Sequence, residues 1–169
     1  LLLLPFGNQL VKLATWAIKD SKEDQEKENL FKALDVRFLD TPGIALEQCK
    51  KLTDDMAKVT KESLFGAIDL LDNYNEKREK ELVDMECLVD RYEDEIGAYL
   101  MKVSARDLSN KDSHMVNTLL HSIGNWERIS DHALNICDAA KEIHDKKISF
   151  SDKARADISL YAENPQLLP

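Results

Sequence analysis

Apolar residues recur at helical spacing over three stretches of about thirty residues each, and no other feature of this chain limits its fold so tightly. The first stripe follows Gly43: Ile44, Ala45, Leu52, Met56, Val59, Leu64, Ile68, Leu70 and Leu71. Thr41-Pro42 marks its start, with Thr41 as N-cap and Pro42 at the first helical position. The helix is expected to end near Asp72 and Asn73. A second helix is expected over about residues 75–104, with Leu82, Met85, Val89, Tyr92, Ile96, Leu100 and Val103 on one stripe. Residues 105–112, ARDLSNKD, make the next turn. A third helix is expected over about residues 112–147. Its stripe is Met115, Val116, Leu119, Leu120, Ile123, Trp126, Ile129, Ala133, Leu134, Cys137 and Ala140. Ser151 and Asp152 then cap a fourth helix that starts at Lys153 and is cut off, since the final ENPQLLP does not continue it.

Short turns between long helices give an antiparallel three-helix bundle, all-α, with an N-terminal extension helix and a truncated fourth helix. A charged fraction of 33%, with only five Gly and four Pro, suits long solvated helices better than a sheet. Residues 30–40, LFKALDVRFLD, alternate enough to predict a short extended segment.

The front end reads differently. LLLLPFGNQLVKLATWAIKD opens on an apolar run far shorter than the roughly 18 residues that span a bilayer. It has no basic leader or cleavage site, so it is not a signal peptide. Two readings stand: the final turn of a transmembrane helix whose start is missing, or an interfacial or core-packing helix over residues 8–18. A first residue of Leu1 in place of Met fits a fragment. Lys12, Lys19 and Lys22 lean toward the cytoplasmic side. DSKEDQEKEN is wholly polar and marks a linker. The expected organisation is a membrane-proximal or interfacial helix at 1–20, a linker at 21–40, the bundle at 41–150, and the start of a further helix with a ragged tail at 151–169.

A net charge of −9 disfavours nucleic acid as a partner and is compatible with cations. Cys49, Cys87 and Cys137 are odd in number and far apart, without a CxxC pair. They read as reduced, partly buried thiols and not as a disulfide framework or zinc knuckle.

Two acid pairs carry the chemical interest. Glu127 and Asp131 lie four apart, so their side chains are neighbours about 40° apart around the helix. Val116, Leu120 and Leu134 fall within about 20° of Glu127. Glu86 and Asp90 repeat the pattern on the second helix, bracketed by Leu82 and Leu100 on one side and Val83 and Met101 on the other. Two helices thus each present Glu-x-x-x-Asp at the margin of the interior. Facing carboxylates repel, and burying one unpaired is costly. Arg91, Arg128 or a Lys would compensate by ion pairing, or a metal would. Oxygen-only donors suit hard or borderline cations such as magnesium, manganese, calcium or iron.

Other chemistry finds little support. A ferritin-like di-iron site wants Glu-x-x-His on two helices, and none of His114, His121, His132 or His144 follows a Glu at that spacing. His132 points about 140° from Glu127 and reads as a surface or interhelix histidine. Phosphate-loop, dinucleotide and nucleophile-elbow motifs do not occur. An enzyme is not expected.

The stretch WERISDHALNICDAA resembles the signature of PhoU-family domains, a Glu-Arg-Ile-Gly-Asp-His-Ala run followed by Asn-Ile. The match covers Glu127, Arg128, Ile129, Asp131, His132, Ala133, Asn135 and Ile136, with Ser130 in place of the usual glycine. Residues 86–96 are similar to the family's other acidic motif. The resemblance implies that Glu86, Asp90, Glu127 and Asp131 are metal positions. The cofactor it implies is a divalent or trivalent metal: iron, zinc, manganese or magnesium.

LPFGNQLVKLA and RFLDTPGIALEQCKK further resemble the junction in bacterial sodium/phosphate cotransporter-family proteins, where a cytoplasmic PhoU-like domain follows a membrane transport domain. That implies a regulatory domain of phosphate uptake or signalling at the cytoplasmic face of the inner membrane. Expected partners are the transport domain of the same protein, a second copy in a homodimer, and phosphate-signalling proteins. PhoU proteins carry two bundles in tandem, and this chain has one complete bundle. The alternative is a helical oligomerisation or scaffold module that binds neither metal nor ligand.

Overall fold

A computed structural model describes residues 30–151, 153 and 154. The expected N-terminal helix at 1–20, residues 21–29 of the linker, and the continuation of the fourth helix lie outside the described residues. The chain divides into two units, Leu1–Ala33 and Leu34–Pro169. The described part of the first unit holds one 3-10 turn, Phe31–Ala33.

The second unit is built on three helices, α1 (Pro42–Leu70), α2 (Glu76–Ser104) and α3 (Asn110–Asp145). Each packs on the other two, which is the expected up-down-up bundle. No strand occurs among the described residues.

The extended segment expected before α1 is a correction. Val36–Phe38 forms a 3-10 turn instead. With no neighbouring strand to satisfy the backbone, local bonds do so: Phe38 N–H to Asp35 O at 3.0 Å and Leu39 N–H to Val36 O at 3.2 Å. Asp35 caps this turn by accepting from Arg37 N at 2.8 Å. Tyr99 of α2 donates its hydroxyl to Asp35 O at 2.7 Å, and Leu39 is buried, so the segment is held against the bundle.

Helix ends follow their caps. Thr41 occupies the N-cap of α1, but its side chain makes no cap bond. It donates to Phe38 O at 3.2 Å; Pro42 at N1 has no N–H to satisfy. Helix α1 ends at Leu70, slightly before the expected Asp72. Asn75 caps α2 by accepting from Lys77 N and Arg78 N. Helix α3 begins two residues before the expected Asp112, because Ser109 is its cap. Ser109 Oγ accepts from Asp112 N at 3.1 Å and donates to the Asp112 carboxylate at 2.7 Å.

The core runs along the expected stripes with small residues set among large ones. Met56, Leu70, Leu82, Ile96 and Leu100 are fully buried. At one end Ala67, Leu70, Leu82, Ala133, Cys137 and Ala140 form a single cluster. Helices α1 and α3 also bury hydroxyls that an apolar stripe passes over, at Thr60, Ser63 and Ser130. Gly66 lets α2 come close: a Cβ there would lie 2.9 Å from both Arg78 Nη2 and Leu82 Cδ2. Ile44, placed on the α1 stripe by spacing, is instead exposed.

Candidate functional site

The four carboxylates come from the middle of α2 and the middle of α3. Glu86 and Glu127 are half-buried, while Asp90 and Asp131 are exposed. The α-helical period explains the split. Each Glu stands one step closer to the apolar stripe than the Asp four residues on.

The two pairs sense one another across the helix boundary. Burial pushes the Glu86 carboxyl above its ordinary value of 4.5, and the charges of Asp90 and Asp131 add to this, while a hydrogen bond with the Cys87 thiol opposes it. Burial also raises Asp90 above 3.8, helped by Asp131 and Asp94. Glu127 is raised by burial, then by the charges of Asp131, Glu93 and Asp90, and by a hydrogen bond with Asp131. Asp131 is the common neighbour of the other three. It joins acids of both helices into one acidic margin.

Bases play no part in the raised values of Glu86, Asp90 and Glu127. None of the four carboxylates takes part in an ion pair among the described residues. No Lys, Arg or His charge contributes to the shifts of Glu86, Asp90 or Glu127. Two basic side chains of the bundle pair with other acids, Arg78 with Glu81 at 3.0 Å and Lys141 with Glu79 at 2.7 Å.

The donor chemistry suits a hard cation: four carboxylates, of which Glu86, Asp90 and Glu127 have raised proton affinity. The arrangement of one chain is looser than a coordination sphere. Among the described residues no three His, Cys, Asp or Glu side chains stand close enough together to hold a metal ion. His132 is exposed, as its spacing implies, and does not enter the margin.

Glu93 and Asp94 belong to the same electrostatic group but were not singled out from the sequence. The signal was present: Glu93 is seven residues after Glu86 and three after Asp90, so it continues the same row. The cysteines divide as burial dictates. Cys49 and Cys137 are buried and Cys87 is exposed, all unpaired. Burial pushes the Cys49 thiol up to about 12, which makes it inert as a nucleophile or ligand near neutral pH.

A family model described as the PhoU domain matches residues 53–140, from within α1 to near the end of α3, and spans all four carboxylates. No curated protein and no solved structure matches the chain significantly. No helix among the described residues is long and apolar enough to cross a membrane.

Proposed function

We propose that this chain, which belongs to the PhoU domain family, regulates phosphate transport or phosphate signalling through protein contact and through a cation held on its acidic margin. The family is one of regulatory helical domains and not a known enzyme family. The observation that carries the cation reading is the convergence of Glu86, Asp90 and Glu127 on Asp131, with no basic charge among the causes of their raised values. A bound cation would offset the repulsion and tie α2 to α3.

One chain does not close the coordination sphere by itself. We therefore place the metal, whether iron, manganese, magnesium or zinc, between the acids of this chain and further donors. The natural source is a second copy in a homodimer, whose own acids would converge on the shared ion. The host in this reading is a sodium-dependent phosphate transporter of the bacterial inner membrane, with the bundle on its cytoplasmic face. Its support is the likeness of LPFGNQLVKLA and RFLDTPGIALEQCKK to that junction.

The looseness of the single-chain site favours a second reading, a helical oligomerisation module without metal. Elemental analysis of the purified chain, beside a Glu127→Gln/Asp131→Asn variant and with mass measured in solution, separates the two. Stoichiometric metal that is lost in the variant, together with a metal-dependent dimer, supports the first reading. A metal-free chain whose oligomeric state ignores both metal and the substitutions refutes it.

A further inference from the structure

The pole of the bundle where α1 and α3 end holds a cavity of about 280 Å³. Leu70, Ala140 and Ile143 are apolar members of its lining, and Tyr74 and Phe150 are aromatic ones. Two opposite charges, Asp72 and Lys147, border the same space. Neither takes part in an ion pair among the described residues. The other charged groups nearby are engaged. Tyr74 donates its hydroxyl to Glu79, which also takes Lys141 at 2.7 Å, and His144 stacks on Tyr74 with centroids 4.4 Å apart beside Asp145.

The backbone supplies an independent observation. Helix α3 closes with Lys147 N–H bonded to His144 O and Ile148 N–H bonded to Ile143 O. That pattern needs a left-handed residue at Lys147, where glycine is the usual occupant. Lys147 adopts φ 53 and is the one described non-glycine residue with positive φ. A lysine in that conformation is strained, and strain of this kind tends to accompany a task for the side chain. Here Lys147 is exposed and is one of the residues that line the cavity.

We propose that this cavity binds a small zwitterion with an apolar body, the class to which the apolar α-amino acids belong. Lys147 receives the carboxylate, Asp72 receives the ammonium, and the apolar body lies on Leu70, Ala140 and Ile143 between the two rings. The volume is near the lower end of the range for ligand sites, which fits one side chain and its charged head and nothing larger. The site is remote from the acidic margin in sequence and composition, so it stands or falls independently of metal binding.

The test is calorimetric titration of the full chain with L-leucine and L-phenylalanine. Two further probes each lack one charge: 3-phenylpropionate and 2-phenylethylamine. Lys147→Gly keeps the backbone geometry, because glycine adopts positive φ freely. It is expected to weaken both amino acids and phenylpropionate about tenfold or more while sparing phenylethylamine. Asp72→Asn is expected to weaken the amino acids and phenylethylamine while sparing phenylpropionate. Circular dichroism checks that both variants stay folded. No saturable binding of either amino acid up to about 10 mM, or affinities unchanged in both variants, overturns the proposal.

Discussion

Neutralising the acidic margin is expected to stabilise the metal-free chain, and a Glu86→Gln/Glu127→Gln variant makes the test. Each substitution removes one like-charge contact four residues apart on a helix, Glu86 with Asp90 and Glu127 with Asp131. Such contacts cost about 0.2–0.5 kcal/mol each. The cross-helix terms, Glu86 with Asp131 and Glu127 with Asp90, act in the same direction. Both glutamates are only half-buried, so solvent and salt screen these terms and the total is held to about 0.5–1 kcal/mol. For a bundle of this size that raises Tm by about 2–5 °C.

The pH dependence fixes the sign independently. Glu86, Asp90 and Glu127 have folded pKa values above their ordinary ones, so the folded chain holds protons that the unfolded chain has released. Their cost is complete above the raised values. It shrinks as pH falls through them, and is gone below the ordinary 4.5 of Glu and 3.8 of Asp. Glu79 runs the other way. Lys141 and Tyr74 hold its carboxyl below 4.5, so its contribution is present above 4.5 and lost as pH falls through the lowered folded value. Urea titrations in chelator are therefore expected to show the native chain gaining on the variant as pH drops toward 4.5, and added salt narrowing the gap at neutral pH. A variant less stable than the parent at neutral pH, or a gap indifferent to salt, would refute the repulsion argument and restore a hidden basic partner.

Three further outcomes follow from the packing. Thr60 Oγ1 and Ser130 Oγ are buried without a hydrogen-bond partner, so Thr60→Val and Ser130→Ala are each expected to stabilise by about 1 kcal/mol in urea unfolding; a loss of that size would show that the hydroxyls are satisfied. Gly66→Ala sets a methyl 2.9 Å from Leu82 Cδ2 and Arg78 Nη2, and is expected to cost about 1–3 kcal/mol despite the better helix propensity of alanine; equal or higher Tm would mean the two helices separate freely. Lys147→Gly relieves the left-handed backbone and is expected to gain about 0.5–1 kcal/mol in thermal unfolding, with lower stability showing that the lysine's pull on the α3 C-terminus outweighs the strain.

Most of the bundle was legible because its helices announce themselves twice, by period and by cap. Leu82, Val89, Tyr92, Ile96, Leu100 and Val103 lie on one predicted stripe and are all buried. Asn75 and Ser109 cap with side-chain oxygens, although the second was read as turn because the polar run ARDLSNKD hides where capping begins. What escaped was whatever a count of apolar residues cannot weigh. Thr60, Ser63, Gly66 and Ser130 are buried because they are small enough for close helix contact, not because they avoid water. The segment before α1 alternates like a strand but has no strand beside it, so its backbone closes on itself.

The acidic margin sits between these cases, and the reason concerns what spacing can measure. Angles around a helix placed both pairs at the margin of the interior without ranking their members, and the structure half-buries Glu86 and Glu127 while exposing Asp90 and Asp131. Angles say nothing about register between helices. That register decides that Asp131 faces both Glu86 and Asp90, and that Glu93 reaches Glu127. Nor do they say where the basic side chains go. Arg78 and Lys141 were available to the margin by composition, yet the fold commits them to Glu81 and Glu79 one and two turns away. A bundle seeking only stability would have paired its bases with the most crowded acids. In this one Glu86, Asp90 and Glu127 keep raised values without a basic charge among the causes. Under the proposed function, a hard cation that relieved the repulsion would give the metal-free and metal-bound chains different stabilities. Such a difference is what a regulatory domain needs if occupancy of its acidic margin is to be felt elsewhere in the protein.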